Sequence, residues 1–363
     1  MKQRILFLAD INSPHAQKWV KSLASDGYEI GIFSLTALKI AAGKESDGVT
    51  LLYHGNKTRH TNSFFKITYL LVLPKLIFYI FKYKPAIIHA HYATSYGLLG
   101  ALAAFFKPLF VSVWGSDLLK FPKKSFMHRL LIKFVFFRAN KICVTSSLLK
   151  KEIKLYTSKK VMVIPFGIDL DLFYNFNLNR ETFFTFGCVK HLEKIYNIDK
   201  VILAFNLLVK KYSNRSMKLL IVGDGKEKDN LMTLVKFYNL SEHVDFTGAV
   251  NHKSIPWYIN KLDVLVNVSE TESFGVSVAE AMACKTPVIV SNLEGFQDLI
   301  PDEKIGLITK STGLEDIFIC MEKYFLNSEL RINHAEEAFK RVKEHFNWNQ
   351  NVIDMENLYS EVA

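Results

Sequence analysis

Short, β-rich apolar runs alternate with longer amphipathic stretches along almost the whole chain, and this rhythm admits few folds. Runs at residues 4–8, 29–34, 87–90, 109–113, 141–145 and 161–164 form one series. Those at 183–187, 218–222, 244–247, 264–268, 288–290 and 305–308 form a second. Alternating strand and helix patterns build parallel, doubly wound sheets with helices on both faces. At 363 residues the chain also exceeds the about 250 to 300 at which single cores stop growing. Two α/β units in tandem are therefore expected.

The joint falls at Ile164-Pro165-Phe166-Gly167-Ile168-Asp169, where Pro and Gly stop a strand, and residues 170–180 carry no clear periodicity. This divides the chain into a first domain at 1–166 and a second at 167–345. A helical tail follows at 346–363, with Trp348, Val352, Met355, Leu358 and Tyr359 on one face, expected to pack back on the first domain. Two Rossmann-like domains are expected to face a central cleft, because open α/β sheets bind ligands outside the carboxyl ends of their strands.

The four cysteines, Cys143, Cys188, Cys284 and Cys320, are widely spaced, so neither a disulfide framework nor a zinc site is indicated and a reducing cytoplasm fits. The apolar run after the first four residues meets Asp10 without a cleavage signal and reads as a first buried strand, not a leader. Charge is placed unevenly. Residues 61–160 hold 17 Lys and Arg against Asp117 and Glu152, or +15, so the rest of a chain with net charge +11 sums to −4. Such a half could meet nucleic acid, anionic lipid or solvent. The interleaved apolar residues favour a lipid surface over nucleic acid, and no window is apolar enough to span a bilayer.

The most informative stretch runs from Asn267 to Val290. A strand gives way to a loop with Glu270 and Glu272, and a helix then starts near Phe274 to Val276 and carries Glu280 about one turn in. The free amides of Phe274, Gly275 and Val276 at a helix start form an anion-binding surface, and Gly275 lets a ligand approach closely. Carboxylates in a first turn often serve only the helix dipole. The whole string, however, resembles the signature of family 4 glycosyltransferases of the GT-B fold: two glutamates flanking seven residues, then Glu280-Ala-Met-Ala283 and Pro287-Val288.

The resemblance extends in order over nearly the whole chain, through residues 161–169, Gly223-Asp-Gly225 and residues 244–250. It implies that Glu272 contacts the hydroxyls of the donor sugar and Glu280 the ribose of the nucleotide, with Gly223, Gly248 and Val250 beside the nucleotide. Relatives hold the diphosphate with an Arg and a Lys. Here His191 and Tyr196 occupy those positions, so Lys190 and then Lys194 are the expected cations, since a diphosphate leaving group needs fixed positive charge. In the first domain His15 opens a helix and is a candidate for acceptor or phosphate contact. Trp114 stands where many relatives have a sugar-facing His, which leaves Asp117 and His91 as the nearest candidates for catalytic contact with the acceptor. Asp169-Leu-Asp171 spells a metal-binding pattern of a different transferase fold, but in an interdomain turn, and no metal is expected.

Together these readings imply a retaining, metal-independent glycosyltransferase that needs no cofactor beyond a UDP- or GDP-linked sugar as co-substrate. The basic, aromatic first half suggests a lipid-linked or oligosaccharide acceptor, in O-antigen, capsule or exopolysaccharide synthesis, met peripherally on the inner face of the cytoplasmic membrane. Two alternatives stay open: a GT-B nucleotide-sugar epimerase, and a non-catalytic basic protein that binds membranes or nucleic acid.

Overall fold

A computed structural model describes residues 3–38, 48–55, 63–178 and 182–362; the end of the aperiodic 170–180 stretch lies outside them. Seven strands form the first sheet: β1 (Arg4–Leu8), β2 (Glu29–Phe33), β3 (Val49–Tyr53), β4 (Ile87–His91), β5 (Leu109–Val113), β6 (Lys141–Val144) and β7 (Val161–Val163). Six form the second: β8 (Phe184–Val189), β9 (Met217–Val222), β10 (Val244–Gly248), β11 (Val264–Asn267), β12 (Val288–Ser291) and β13 (Leu307–Thr309). Every pairing between these strands is parallel. Both sheets are doubly wound, as the alternation predicts, with orders β3-β2-β1-β4-β5-β6-β7 and β10-β9-β8-β11-β12-β13. The strand missing from the sequence reading is β3, a sheet-edge strand that is only half-buried and so lacks a continuous apolar run.

The chain forms two compact units, Met1–Pro165 with Gln350–Ala363, and Phe166–Asn349. In the first, Leu6, Leu8, Ile88, Ala90, Val111 and Val113 meet Leu99, Val135 and Phe136 from covering helices. In the second, Phe186, Leu219, Ile221 and Val266 pack against Val201, Ile202, Phe205 and Tyr324. A further cluster joins Leu265, Val288 and Val290 to Val278, Ala281 and Met282 of the helix Val276–Ala283. From Gln350 onward the helix Trp348–Ser360 belongs to the first unit. There the Tyr359 hydroxyl lies 2.6 Å from Nδ1 of His89, Asn351 donates to the Pro165 carbonyl, and Lys141 pairs with Glu361.

Strand order fixes where chemistry can gather. In a doubly wound sheet the connections run to opposite sides at one point, and a crevice opens there at the carboxyl ends of the two strands. That point lies between β1 and β4 in the first sheet and between β8 and β11 in the second.

Candidate active site

In the second unit the switch point carries opposed charges. Lys190 directly follows β8, and Glu272 sits five residues beyond β11; the Lys190 ammonium bonds Glu272 Oε2. Their side chains are 17% and 16% exposed. The ammonium also lies 4.7 Å from the centre of the Tyr196 ring, a cation–π contact. Burial first, and the Glu272 carboxylate second, push the Tyr196 phenol above its usual range.

Two charges so withdrawn from water lose hydration that their mutual attraction only partly restores, so the pair is weak as a device for stability. It suits a site where a ligand exchanges for each partner. Several contacts fix the loop that aims Glu272. Asn197 Nδ2 donates to the Val268 carbonyl at 2.9 Å, the Glu270 amide to Ile195 at 2.8 Å, and Ser291 Oγ to the Ser269 carbonyl at 2.7 Å. A Cβ on Gly295 would stand 2.0 Å from the Glu272 carbonyl, so only glycine lets the chain cross beneath the loop.

Gly275 sets the start of the helix Val276–Ala283. Its φ is +94°, and a Cβ there would meet the Phe296 ring at 2.6 Å, so both backbone and packing demand glycine. Phe274 buries its ring against Phe166 and Phe346, which anchors the turn that starts the helix. Glu280, on the same helix, is buried and accepts from Nε2 of His252 at 2.7 Å. The His252 ring in turn packs 5.4 Å from that of Phe173.

At the ends of the neighbouring strands, the Gly223 amide donates to the Gly248 carbonyl at 3.1 Å, and both glycines have positive φ. A Cβ on Gly223 would collide with the Lys190 carbonyl at 1.8 Å, so this glycine sets the path of the lysine loop itself. Lys228 Nζ lies 3.8 Å from where a Gly248 Cβ would be and 3.8 Å from Asp224 Oδ2. Val250 packs half-buried on the same core. His191 is exposed, with Nδ1 3.4 Å from the Asp224 carbonyl, and Lys194 is exposed on a short turn of 3₁₀ helix.

The switch point of the first unit is built from rings. His91 ends β4 and stacks 4.2 Å from His89 and 4.5 Å from Phe7, with Trp114 at 5.5 Å. His15 meets Trp114 edge-on at 5.7 Å. His15 and Trp114 are half-exposed and form the rim of this stack.

His91 and Asp117, expected to touch an acceptor, are instead 1% and 0% exposed. Asp117 accepts the amides of Ala93 at 2.8 Å, Gly115 at 2.8 Å and Trp114 at 3.1 Å, and so holds together the loops after β4 and β5. Burial lifts its carboxyl to about 6 against the opposing pull of those amides. Neither His91 ring nitrogen has a hydrogen-bond partner, and burial lowers its pKa to about 3. Both residues support the rim from behind.

No group of three or more His, Cys, Asp or Glu is placed to hold a metal among the described residues. In the Asp169-Leu-Asp171 stretch, Asp169 Oδ1 accepts the Asp171 amide at 3.1 Å, an ordinary turn. Sequence reasoning missed Tyr196 as a cation–π partner, Lys228 and His252. His252 gains its meaning from Glu280, 28 residues away, whereas the contacts of Tyr196 with Lys190 and of Lys228 with Asp224 are local but depend on how the chain turns after the strands.

Comparison with known proteins identifies both units. Residues 4–146 match the family described as glycosyl transferase 4-like, and residues 173–341 match glycosyl transferases group 1. The chain belongs to the GT-B glycosyltransferases of family 4 type. Among its relatives is an uncharacterised glycosyltransferase, MJ1178, of Methanocaldococcus jannaschii, 26% identical over 76% of each chain. The capsular polysaccharide biosynthesis glycosyltransferase CapM of Staphylococcus aureus is 26% identical over 87% of this chain and 88% of its own. Among solved structures, Anabaena HepE in complex with UDP and glucose superposes with a TM-score of 0.80 at 18% identity, over 99% of this chain and 100% of its own. That likeness establishes the fold, and the relatives establish a glycosyltransferase.

Proposed function

We propose that this glycosyltransferase retains anomeric configuration and moves a hexose or N-acetylhexosamine from a UDP- or GDP-linked donor. The acceptor is a polyprenyl-diphosphate-linked glycan in the synthesis of O-antigen, capsule or exopolysaccharide. The observation that carries the reading is the Lys190–Glu272 pair at the carboxyl ends of β8 and β11, beside the Gly275 helix start. A nucleotide diphosphate meets a cation and helix-start amides there, while a sugar meets a carboxylate. The UDP complex of HepE and the capsular role in the name of CapM agree with a nucleotide donor and a polysaccharide product.

In the proposed reaction Lys190 turns from Glu272 to the diphosphate, and Glu272 accepts hydroxyls of the donor sugar. Glu280, held by His252, accepts a ribose hydroxyl. The bond from the anomeric carbon to the β-phosphate oxygen breaks as the acceptor oxygen bonds that carbon from the same face. The acceptor proton passes to the departing phosphate oxygen. Lys190 and the helix amides stabilise the charge that develops there, so the step is assigned no metal, no cofactor and no covalent enzyme intermediate. His15 and Trp114 offer the acceptor a ring surface. The basic residues 61–160 support a cytoplasmic enzyme peripheral on the inner membrane face.

The test is to incubate the protein with UDP- and GDP-linked sugars and a polyprenyl-diphosphate glycan, and follow the anomeric proton of the product by NMR. A product with the donor's configuration is expected; an inverted product, or none from any donor, would overturn the reading.

A further inference from the structure

In the first unit the helices Leu73–Tyr83, Ser95–Ala103 and Phe126–Arg138 pack side by side, and the middle one is almost wholly buried. The helix Phe126–Arg138 is apolar on two faces. Ile132, Val135 and Phe136 are buried in the core, whereas Phe126, Met127, Leu130, Phe134 and Phe137 are exposed. At about 100° per residue, the exposed set covers an arc of roughly 100° directly opposite the buried set, with Arg129 and Lys133 exposed along one edge.

A helix that serves only the core needs one apolar stripe, and a contiguous exposed patch marks an interaction surface. The patch does not end with this helix. The Arg138 guanidinium donates to the carbonyls of Ala101 at 3.2 Å and Ala104 at 2.9 Å, which brings Phe137 to the same end of the layer as Phe105 and Phe106. Phe137 is 75% exposed and Phe106 91%.

Charge indicates what covers this face. The two acids of residues 61–160 are both engaged, Asp117 by burial and Glu152 by Lys123 at 2.9 Å, so the charge this segment shows to solvent is positive. A second copy docked on the same face would set like charge against like. Among the described residues no helix is long and apolar enough to cross a membrane. Apolar side chains flanked by cations, on a helix lying flat, match an anionic lipid interface.

We propose that the exposed stripe of the helix Phe126–Arg138, continued by Phe105 and Phe106, inserts into the interface of an anionic bilayer, with Arg129 and Lys133 on headgroup phosphates. The inference builds on the proposed lipid-linked acceptor, since the stripe holds the enzyme at the surface where that acceptor lies, but it is read by binding alone.

The test is co-sedimentation of the full chain with phosphatidylcholine vesicles, with and without phosphatidylglycerol, at low and high salt. Two variants are compared with the unaltered protein, Phe126→Ser/Phe134→Ser/Phe137→Ser and Arg129→Gln/Lys133→Gln. Insertion predicts binding to the anionic vesicles that partly survives high salt and falls roughly tenfold or more in the phenylalanine variant, while the charge variant loses affinity mainly at low salt.

A Phe134→Trp variant should be quenched by brominated acyl chains. Unchanged binding by the phenylalanine variant, no quenching, or a vesicle-independent dimer abolished by the same substitutions would overturn the proposal. Stabilisation of each variant by nucleotide is measured alongside. It reports on the second unit, so loss of vesicle binding with nucleotide response intact separates this surface from the transferase reading.

Discussion

The two switch points occupy equivalent places in two similar sheets and are built from opposite materials. Between β8 and β11 stand Lys190 and Glu272, a charged pair flanked by a helix start. Between β1 and β4 stands a stack of neutral rings, Phe7, His89, His91 and Trp114, locked by Tyr359 and by Ser112 at 2.8 Å from His89 Nε2. The first presents charged groups at the strand ends, whereas in the second Phe7, His89 and His91 are buried and Trp114 alone of the four reaches the surface. The same topology provides the crevice in both; side chains of a few residues after the strands decide its chemistry.

The contrast breaks most visibly at Lys190. Lys190→Ala removes the cation proposed to face the leaving group and leaves Glu272 without this partner, so kcat/KM should fall by about 10² to 10³, as for loss of one preorganised electrostatic partner. Assay with saturating and limiting donor separates the effect on kcat from that on KM. A change below threefold would move the diphosphate away from Lys190.

In the ring stack the sensitive quantity is stability, not charge recognition. His91 titrates near 3 when folded and near 6.5 when unfolded, so the folded state binds fewer protons between those values and stability is lost as pH falls through that window. At pH 5 the loss from this residue alone is about 2 kcal/mol relative to neutral pH. His91→Phe keeps a ring against Phe7 and Trp114 and sacrifices no hydrogen bond, so denaturant titrations at pH 5 and 7.5 should show most of that difference abolished. An unchanged pH dependence would mean that His91 is hydrated in solution.

The smallest effect is expected at His252, whose contact with Glu280 at 2.7 Å positions that carboxylate. His252→Ala should raise donor KM a few-fold, about 1 kcal/mol, the typical net worth of one hydrogen bond, because the half-exposed His252 acts on the donor only through Glu280, with kcat nearly unchanged. His252→Asn should restore part of the loss. A fall in kcat with constant KM would instead place His252 at the reacting centre.

These regions also differ in how far the sequence discloses them. The periodic strands of both sheets are legible because a strand buried on both faces must be apolar throughout; β3 escapes because an edge strand need not be. Glu272, Gly275 and Glu280 are legible because one loop and one helix hold them in a contiguous string. Lys190 stands out less clearly, among His191, Lys194 and Tyr196, and only the fold shows which cation reaches Glu272. The reading of Asp117 and His91 as ligand contacts reverses for a similar reason: a polar residue at a strand end looks the same whether it faces a ligand or supports the loop behind it.

The central claim is a nucleotide site in the second unit that includes Glu280. The most direct test is the melting temperature in the presence of UDP, GDP, ADP, CMP and dTDP, for the unaltered protein and for Glu280→Gln. A ligand at about 100 times its dissociation constant adds about 2.7 kcal/mol, a shift of several degrees. The account predicts a rise with UDP or GDP that is lost or much reduced in the variant. No rise with any nucleotide, or an equal rise in both proteins, would contradict it.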